Sequence, residues 1–192
     1  MKNRTAVRSL CEGAAFAAMA QILSWLKLWQ LPQGGSVNIG MLPIVFFAVR
    51  WGVGRGLACA FAYAVLQLIF DGAYAWSWQS VIGDYLAAFT LMGLAGAFRG
   101  TRGGVFWGCA LASVLQFLSS WVTGATVWAE YMPEEFFGAT MTSPWVYSAL
   151  YNGFYCAVNG AVCLLIFALL YKPMRRYILA EDVEIRKIQP FS

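Results

Sequence analysis

Residues 157–170 read AVNGAVCLLIFALL, and the absence of charge extends outward from them to Trp145 and Tyr171. A run of this kind decides the fold class. Crossing a hydrocarbon core about 30 Å thick takes roughly 20 helical residues. In lipid every backbone N–H and C=O must be paired within its own element, which leaves helices or a closed barrel. Residues 157–170, like Leu57–Phe70 and Leu86–Phe98, lack the strict alternation of a barrel strand, so they read as helices. Six such stretches run roughly 10–31, 37–49, 53–70, 80–98, 104–128 and 145–171, the second of them short. The expectation is an all-α membrane protein of six transmembrane helices.

Charge orients the bundle. Lys2, Arg4 and Arg8 precede the first stretch, and Arg50 and Arg55 separate the second from the third. Arg99 and Arg102 separate the fourth from the fifth, and Lys172, Arg175, Arg176, Arg186 and Lys187 follow the sixth. Lys27 alone falls on the other side, where Asp71, Glu130, Glu134 and Glu135 lie. The positive-inside rule places both termini in the cytoplasm, which demands an even number of crossings. The net charge of +4 therefore expresses topology and no affinity for nucleic acid.

Composition limits the rest. With 192 residues, 60% hydrophobic and 11% charged, the chain has no room for a soluble domain beside the bundle. Residues 1–172 are expected to form one transmembrane domain in the lipid bilayer of a bacterial plasma membrane, and 173–192 a cytoplasmic tail. The basic start followed by Ala18-Met19-Ala20 resembles a signal peptide, but its removal would leave five crossings and break the charge alternation. Cys11, Cys59, Cys109, Cys156 and Cys163 sit in or beside apolar stretches without C-x-x-C spacing, as packing residues do.

Several chemistries are missing from the sequence. Without histidine there is no imidazole base, no Ser-His triad and no ordinary zinc site. Gly52-Val53-Gly54-Arg55-Gly56 has the wrong spacing and context for a nucleotide loop, and reads as a tight basic turn. No P-loop, G-x-S-x-G or paired-carboxylate motif appears. No enzyme, cofactor or metal centre is expected.

One acid stands apart. Eight of the nine occupy tails, connections or a helix entry, whereas Asp84 lies a turn inside the fourth stretch near its outer end. An ionised carboxylate at that depth is costly unless partnered, and no Lys or Arg is placed to serve it. A bound cation or a ring of donors would serve. Alternatively Ser80 opens the helix and Asp84, in or just past its first turn, is stabilised by the macrodipole.

Aromatics gather on the same side: Tyr74, Trp76, Trp78, Tyr85, Trp121, Trp128, Tyr131, Trp145, Tyr147 and Tyr151. An interfacial belt accounts for some of them. Aromatic faces also attract cations, at about 0.5–2 kcal/mol each. One carboxylate among rings suits a flat, positively charged organic ligand. Helical spacing puts Ser120, Gly124 and Trp128 on one face, with Gly124 leaving room beneath the ring. Tyr147 and Tyr151 share a face of the sixth stretch, with Asn152 and Asn159 on an adjacent one. Asn152, level with Asp84, is a ligand candidate; Asn159 is expected to bond another helix.

These residues, in this order, resemble the substrate-binding (S) components of energy-coupling-factor (ECF) vitamin transporters, specifically the thiamine-specific ThiT/YuaJ group. The resemblance covers nearly the whole chain. It runs through residues 12–20 and Met41-Leu42-Pro43-Ile44, then Asp71-Gly72-Ala73-Tyr74, Asp84-Tyr85-Leu86 and Gly96-Ala97-Phe98-Arg99. It ends with Gly124 and Trp128, Tyr147-Ser148 and Asn152-Gly153. It implies a six-helix S-component that binds thiamine near the outer surface, between helices four to six and a covering loop. Asp84-Tyr85 stands where the family has a Glu-Tyr pair whose carboxylate bonds the aminopyrimidine. Family aromatics that stack on the ligand map onto Trp128, Tyr74 and Tyr147, and a family amide onto Asn152. Ser120 stands where the family has His, and a family Trp falls near Gly34, with Trp29 as a substitute.

Ala14 and Ala18, four apart, form a small-xxx-small face. It reads either as internal packing or, by the resemblance, as the dock for a transmembrane coupling subunit that serves two ATPase subunits. Other readings of the whole chain stay open: an S-component for a thiamine precursor or another vitamin, a ligand-free accessory membrane protein, or a six-span carrier working alone.

Overall fold

The computed structural model describes residues 2–31, 35–72 and 77–184. Helix α1 (Lys2–Trp25) is followed by a hairpin of two short strands, β1 (Trp29–Gln30) and β2 (Ser36–Val37), antiparallel with Trp29 opposite Val37. Then come α2 (Met41–Trp51), α3 (Val53–Asp71), α4 (Trp78–Phe98) and α5 (Gly104–Thr126). A second hairpin, β3 (Glu135–Phe136) and β4 (Ala139–Thr140), leads to α6 (Pro144–Ile178) and the short α7 (Glu181–Glu184). Helices α1, α3, α4, α5 and α6 are long and apolar enough to cross a bilayer; α2 is the shorter apolar helix. The six expected membrane elements are all present.

Helix α2 is the axis. It touches α1, α3, α4, α5 and α6, and every residue in it except Leu42 is buried. At 1.5 Å per residue its 11 residues extend only roughly 16 Å. A helix wrapped in protein needs neither the length nor the uniform apolarity that lipid demands. Around it Phe47, Tyr63, Met92 and Phe167 interdigitate in the main core. Helix α4 approaches α3 at Gly93 and Gly96, where a Cβ would land on the backbone of Gly56 and Leu57 or of Gly52 and Val53.

Three boundaries differ from the sequence reading. Helix α1 stops at Trp25, because residues 26–31 turn into the first hairpin: Leu28 N bonds Val37 O at 2.8 Å. Leu31 is buried against Met141, Tyr147 and Tyr151 in an outer apolar cluster, so its apolarity serves a loop contact. Helix α5 ends at Thr126, two residues short of Trp128. Helix α6 runs through Pro173 to Ile178, so position 172 is no break. Ile178 and Ala180 are buried, and Val183 packs on the main core, which makes residues up to Val183 part of the bundle.

The cause is electrostatic. Arg50, 3% exposed, donates Nε to Glu12 Oε2 (2.9 Å), and Nη1 and Nη2 to Asp182 Oδ1 and Oδ2 (2.6 and 2.8 Å). Its Nη1 also donates to the Tyr177 carbonyl (2.7 Å), Trp51 Nε1 donates to Glu12 (2.7 Å), and Arg8 bonds both acids. Residues read as a helix-entry acid and a tail acid thus converge on one guanidinium. The cluster gathers α1, the end of α2 and the start of α7 at one end of the bundle, as the charge alternation requires.

On α1, Ala17 and Ala20 enter the core while Ala14 and Ala18 are exposed. Internal packing therefore does not explain the Ala14–Ala18 face.

Candidate functional site

The site is built where α4 departs from ideal geometry. Ser77 caps the helix, its Oγ accepting from Ser80 N at 3.2 Å. From Val81 to Ala87 the turns widen to π geometry, a form found mostly as single-turn insertions in α-helices and frequently at functional sites. Gly83 permits the close approach of α5: a Cβ there would overlap the Thr123 side chain, and Ser119 Oγ donates to the Gly83 carbonyl at 2.7 Å. The widened stretch carries Asp84 and Tyr85.

Asp84 Oδ2 accepts from Trp128 Nε1 at 2.8 Å and from Ser80 Oγ at 2.9 Å. Among the described residues no Lys or Arg pairs with it. The macrodipole reading fails, since Asp84 lies well beyond the first turn at Trp78–Ser80 and the dipole's effect fades within that turn. The carboxylate is satisfied by two neutral donors and remains without a counter-charge.

Asp84 looks into an open cavity that reaches from the first hairpin down to Met41 at the start of α2. Of the residues read from the sequence, Asp84, Tyr85, Ser120, Gly124, Trp128, Tyr147 and Asn152 all line it. Tyr74 and Gly34 lie outside the described residues. Trp128 reaches Asp84 from just past the end of α5. Tyr147 packs against Tyr151 with the rings tilted and their centroids 5.7 Å apart. Asn152 Nδ2 donates to the Ser148 carbonyl and Oγ (2.9 and 3.0 Å), which fixes the amide.

A model of the family described as thiamine transporter protein (Thia_YuaJ) matches residues 10–179. The chain belongs to the Thia_YuaJ family. Relatives include thiamine transporter ThiT of Bacillus subtilis (strain 168), 28% identical over 170 residues that cover 82% of this chain and 85% of the relative. A second is thiamine transporter ThiT of Lacticaseibacillus paracasei (strain ATCC 334), 25% identical over 190 residues covering 90% and 91%. Among solved structures, ThiT from Listeria monocytogenes superposes with a TM-score of 0.80 at 21% identity, covering 91% of this chain and 98% of that one. The S component of a bacterial ECF transporter gives 0.62 at 16% identity, covering 93% and 99%. These two likenesses establish the fold.

Within this Thia_YuaJ fold three local expectations change. Gly124 serves the close approach of α6 as well, because Ser148 Oγ and Asn152 Nδ2 occupy the space a Cβ would take. Trp29 is 63% exposed and packs edge-on against Phe154 at 6.3 Å, away from the cavity-lining residues. Asn159 bonds a loop in place of a helix: its Oδ1 accepts from Asn38 N (2.9 Å) and its Nδ2 donates to the Ser36 carbonyl (3.1 Å), pinning the first hairpin over the cavity.

The sequence reading missed the opposite wall. Tyr63, Gln67 and Asp71 line the cavity from α3, with Ser24 on α1 and Lys27 just past its end. Gln67 Nε2 lies 2.7 Å from Ser24 Oγ and 3.0 Å from the Tyr63 hydroxyl. The signal was available: residues 63, 67 and 71 are four apart and share one helix face, and an amide inside an apolar span marks function.

Proposed function

We propose that this chain is the thiamine-binding S-component of an ECF-type, ATP-driven uptake transporter, capturing thiamine from the outer side of the cell membrane. Thiamine joins an aminopyrimidine to a cationic thiazolium ring bearing a hydroxyethyl arm. The observation that supports the reading most is Asp84, a carboxylate on a cavity wall with donors but no counter-charge, beside the Trp128 indole that donates to it. Asp84 accepts from the aminopyrimidine, Trp128 stacks on the cationic ring, and Tyr85 and Tyr147 complete the aromatic enclosure, with Tyr74 assigned to it by the resemblance. Asn152 and Ser120 supply neutral polar contacts where α5 and α6 meet at Gly124. Membership of the Thia_YuaJ family supports the ligand's identity.

The chain is the binding subunit and performs no catalysis. Two separate ATPase subunits supply the work through a transmembrane coupling subunit, which docks on the exposed Ala14–Ala18 face of α1. Calorimetric titration of the purified protein with thiamine tests the reading. No heat, and no quenching of tryptophan fluorescence at micromolar ligand, rejects it. Uptake into vesicles by this chain alone would replace it with an autonomous carrier.

A second reading keeps the fold and takes a thiamine precursor or another flat vitamin. It is favoured by Ser120, buried and uncharged, and by the short reach of Asp84. Competition between thiamine and its isolated pyrimidine half separates the two.

A further inference from the structure

Two acids line the cavity in opposite electrical states. Asp84 has donors without a cation, whereas Asp71 Oδ1 lies 3.3 Å from Lys27 Nζ, with both side chains partly exposed. Tyr85 donates its hydroxyl to the Asp71 carbonyl at 2.8 Å, so the second acid stands within one tyrosine's reach of the segment that carries the first. Asp71, Asp84 and Lys27 are the charged residues on the described lining, and together they sum to one negative charge. That balance matches a monocation.

The Lys27–Asp71 pair is unlike the Arg50 cluster. It is one long contact at the open end, where a ligand can reach both partners. A paired ammonium and carboxylate presents a donor and an acceptor side by side. An alcohol, which accepts and donates through one oxygen, can bond both from the side. Ser24, Tyr63 and Gln67 continue the same neutral polar surface. A phosphate ester does not fit: Asp71 cancels the Lys27 charge that would otherwise attract it, and the lining's remaining single negative charge repels the incoming dianion, a repulsive element of the kind that sets specificity.

We propose that Lys27 and Asp71 form the specificity-determining pair for the far end of the ligand, accepting a free hydroxyl and turning away its phosphate ester, with Asp71 setting the exclusion. This rests on the thiamine reading above, in which the hydroxyethyl arm lies opposite the aminopyrimidine held at Asp84.

Fluorescence titrations with thiamine and with thiamine monophosphate, on the full chain in detergent, test the pair. The parent prefers thiamine. Asp71→Asn leaves Lys27 unneutralised and raises monophosphate affinity relative to thiamine by about tenfold or more, and adding Lys27→Gln abolishes that gain. An unchanged ratio in Asp71→Asn, or a gain that survives the loss of Lys27, overturns the proposal. Should Asp71→Asn fail to fold, Lys27→Gln alone decides: it leaves Asp71 without its cation and lowers the relative monophosphate affinity by about tenfold, and no change overturns the proposal. A parent that binds thiamine while the variants leave the ratio unmoved defeats the pair's role alone. A parent that binds neither compound defeats the thiamine reading and this inference with it.

Discussion

The two ends of this bundle both hold half-buried carboxylates, and they treat them in opposite ways. At the cytoplasmic end Glu12 and Asp182 close on Arg50, which donates to both acids and to the Tyr177 carbonyl. At the outer end Asp84 receives, among the described residues, an indole N–H and a serine hydroxyl. The first arrangement carries its counter-charge within the chain and has nothing left to offer. The second is one positive charge short in a membrane-embedded wall, where an unpaired charge is costly. On the proposed reading, a half-buried acid supplied with neutral donors alone is where the cationic ligand sits, and a half-buried acid gripped by arginine is where the fold is held.

Substitutions can break that contrast. The largest effect is expected from Arg50→Met, which leaves half-buried Glu12 and Asp182 with Arg8 alone, itself exposed, as their shared cation; breaking a buried pair costs about 3–5 kcal/mol. Thermal unfolding in detergent reads it, and an unchanged midpoint would show that the cluster holds nothing. Asp84→Asn should give the opposite signature. Thiamine binding weakens by about 10- to 100-fold, through loss of a charge-assisted hydrogen bond, while the unfolding midpoint does not fall. If the variant binds as the parent does, the carboxylate is structural. Trp128→Phe keeps a ring and removes the N–H that donates to Asp84, so a loss of roughly tenfold is expected in the same titration. The smallest change should come from Asp84→Glu, which restores the family's longer side chain and holds affinity within about threefold. A loss as large as that of Asp84→Asn would show that the π-helical turn has set the reach for aspartate.

The sequence made the membrane elements legible because hydropathy and basic residues report directly on lipid and on sidedness. Ser120, Gly124 and Trp128 were legible as a group because helical periodicity aligns them, although Trp128 proves to lie beyond the helix. The widened turns of α4 were not. They depend on α5 pressing Thr123 and Ser119 against Gly83, a contact that no local pattern in α4 encodes. The partnership of Arg50 with Asp182 was hidden for the same reason, since the two are 132 positions apart and neither stretch names the other. Tyr63, Gln67 and Asp71 are a different case: their spacing was visible, but an apolar run long enough to cross a bilayer masks a polar stripe on one of its faces.

Helix α2 carries one more consequence. Since the cavity reaches Met41, the dry barrier between it and the cytoplasmic end is little more than one 11-residue helix thick, about half of a hydrocarbon core of about 30 Å. A transmembrane voltage drops mainly across dry, low-dielectric material, so the field concentrates around α2 and leaves the outer cavity near the external potential. A monocation settling there crosses little of the roughly 2.3 kcal/mol that each charge gains or loses per 100 mV. On the proposed reading, capture is therefore nearly blind to membrane voltage, and the electrical work falls on whatever motion would carry the cation past the level of Ile44 and Val45.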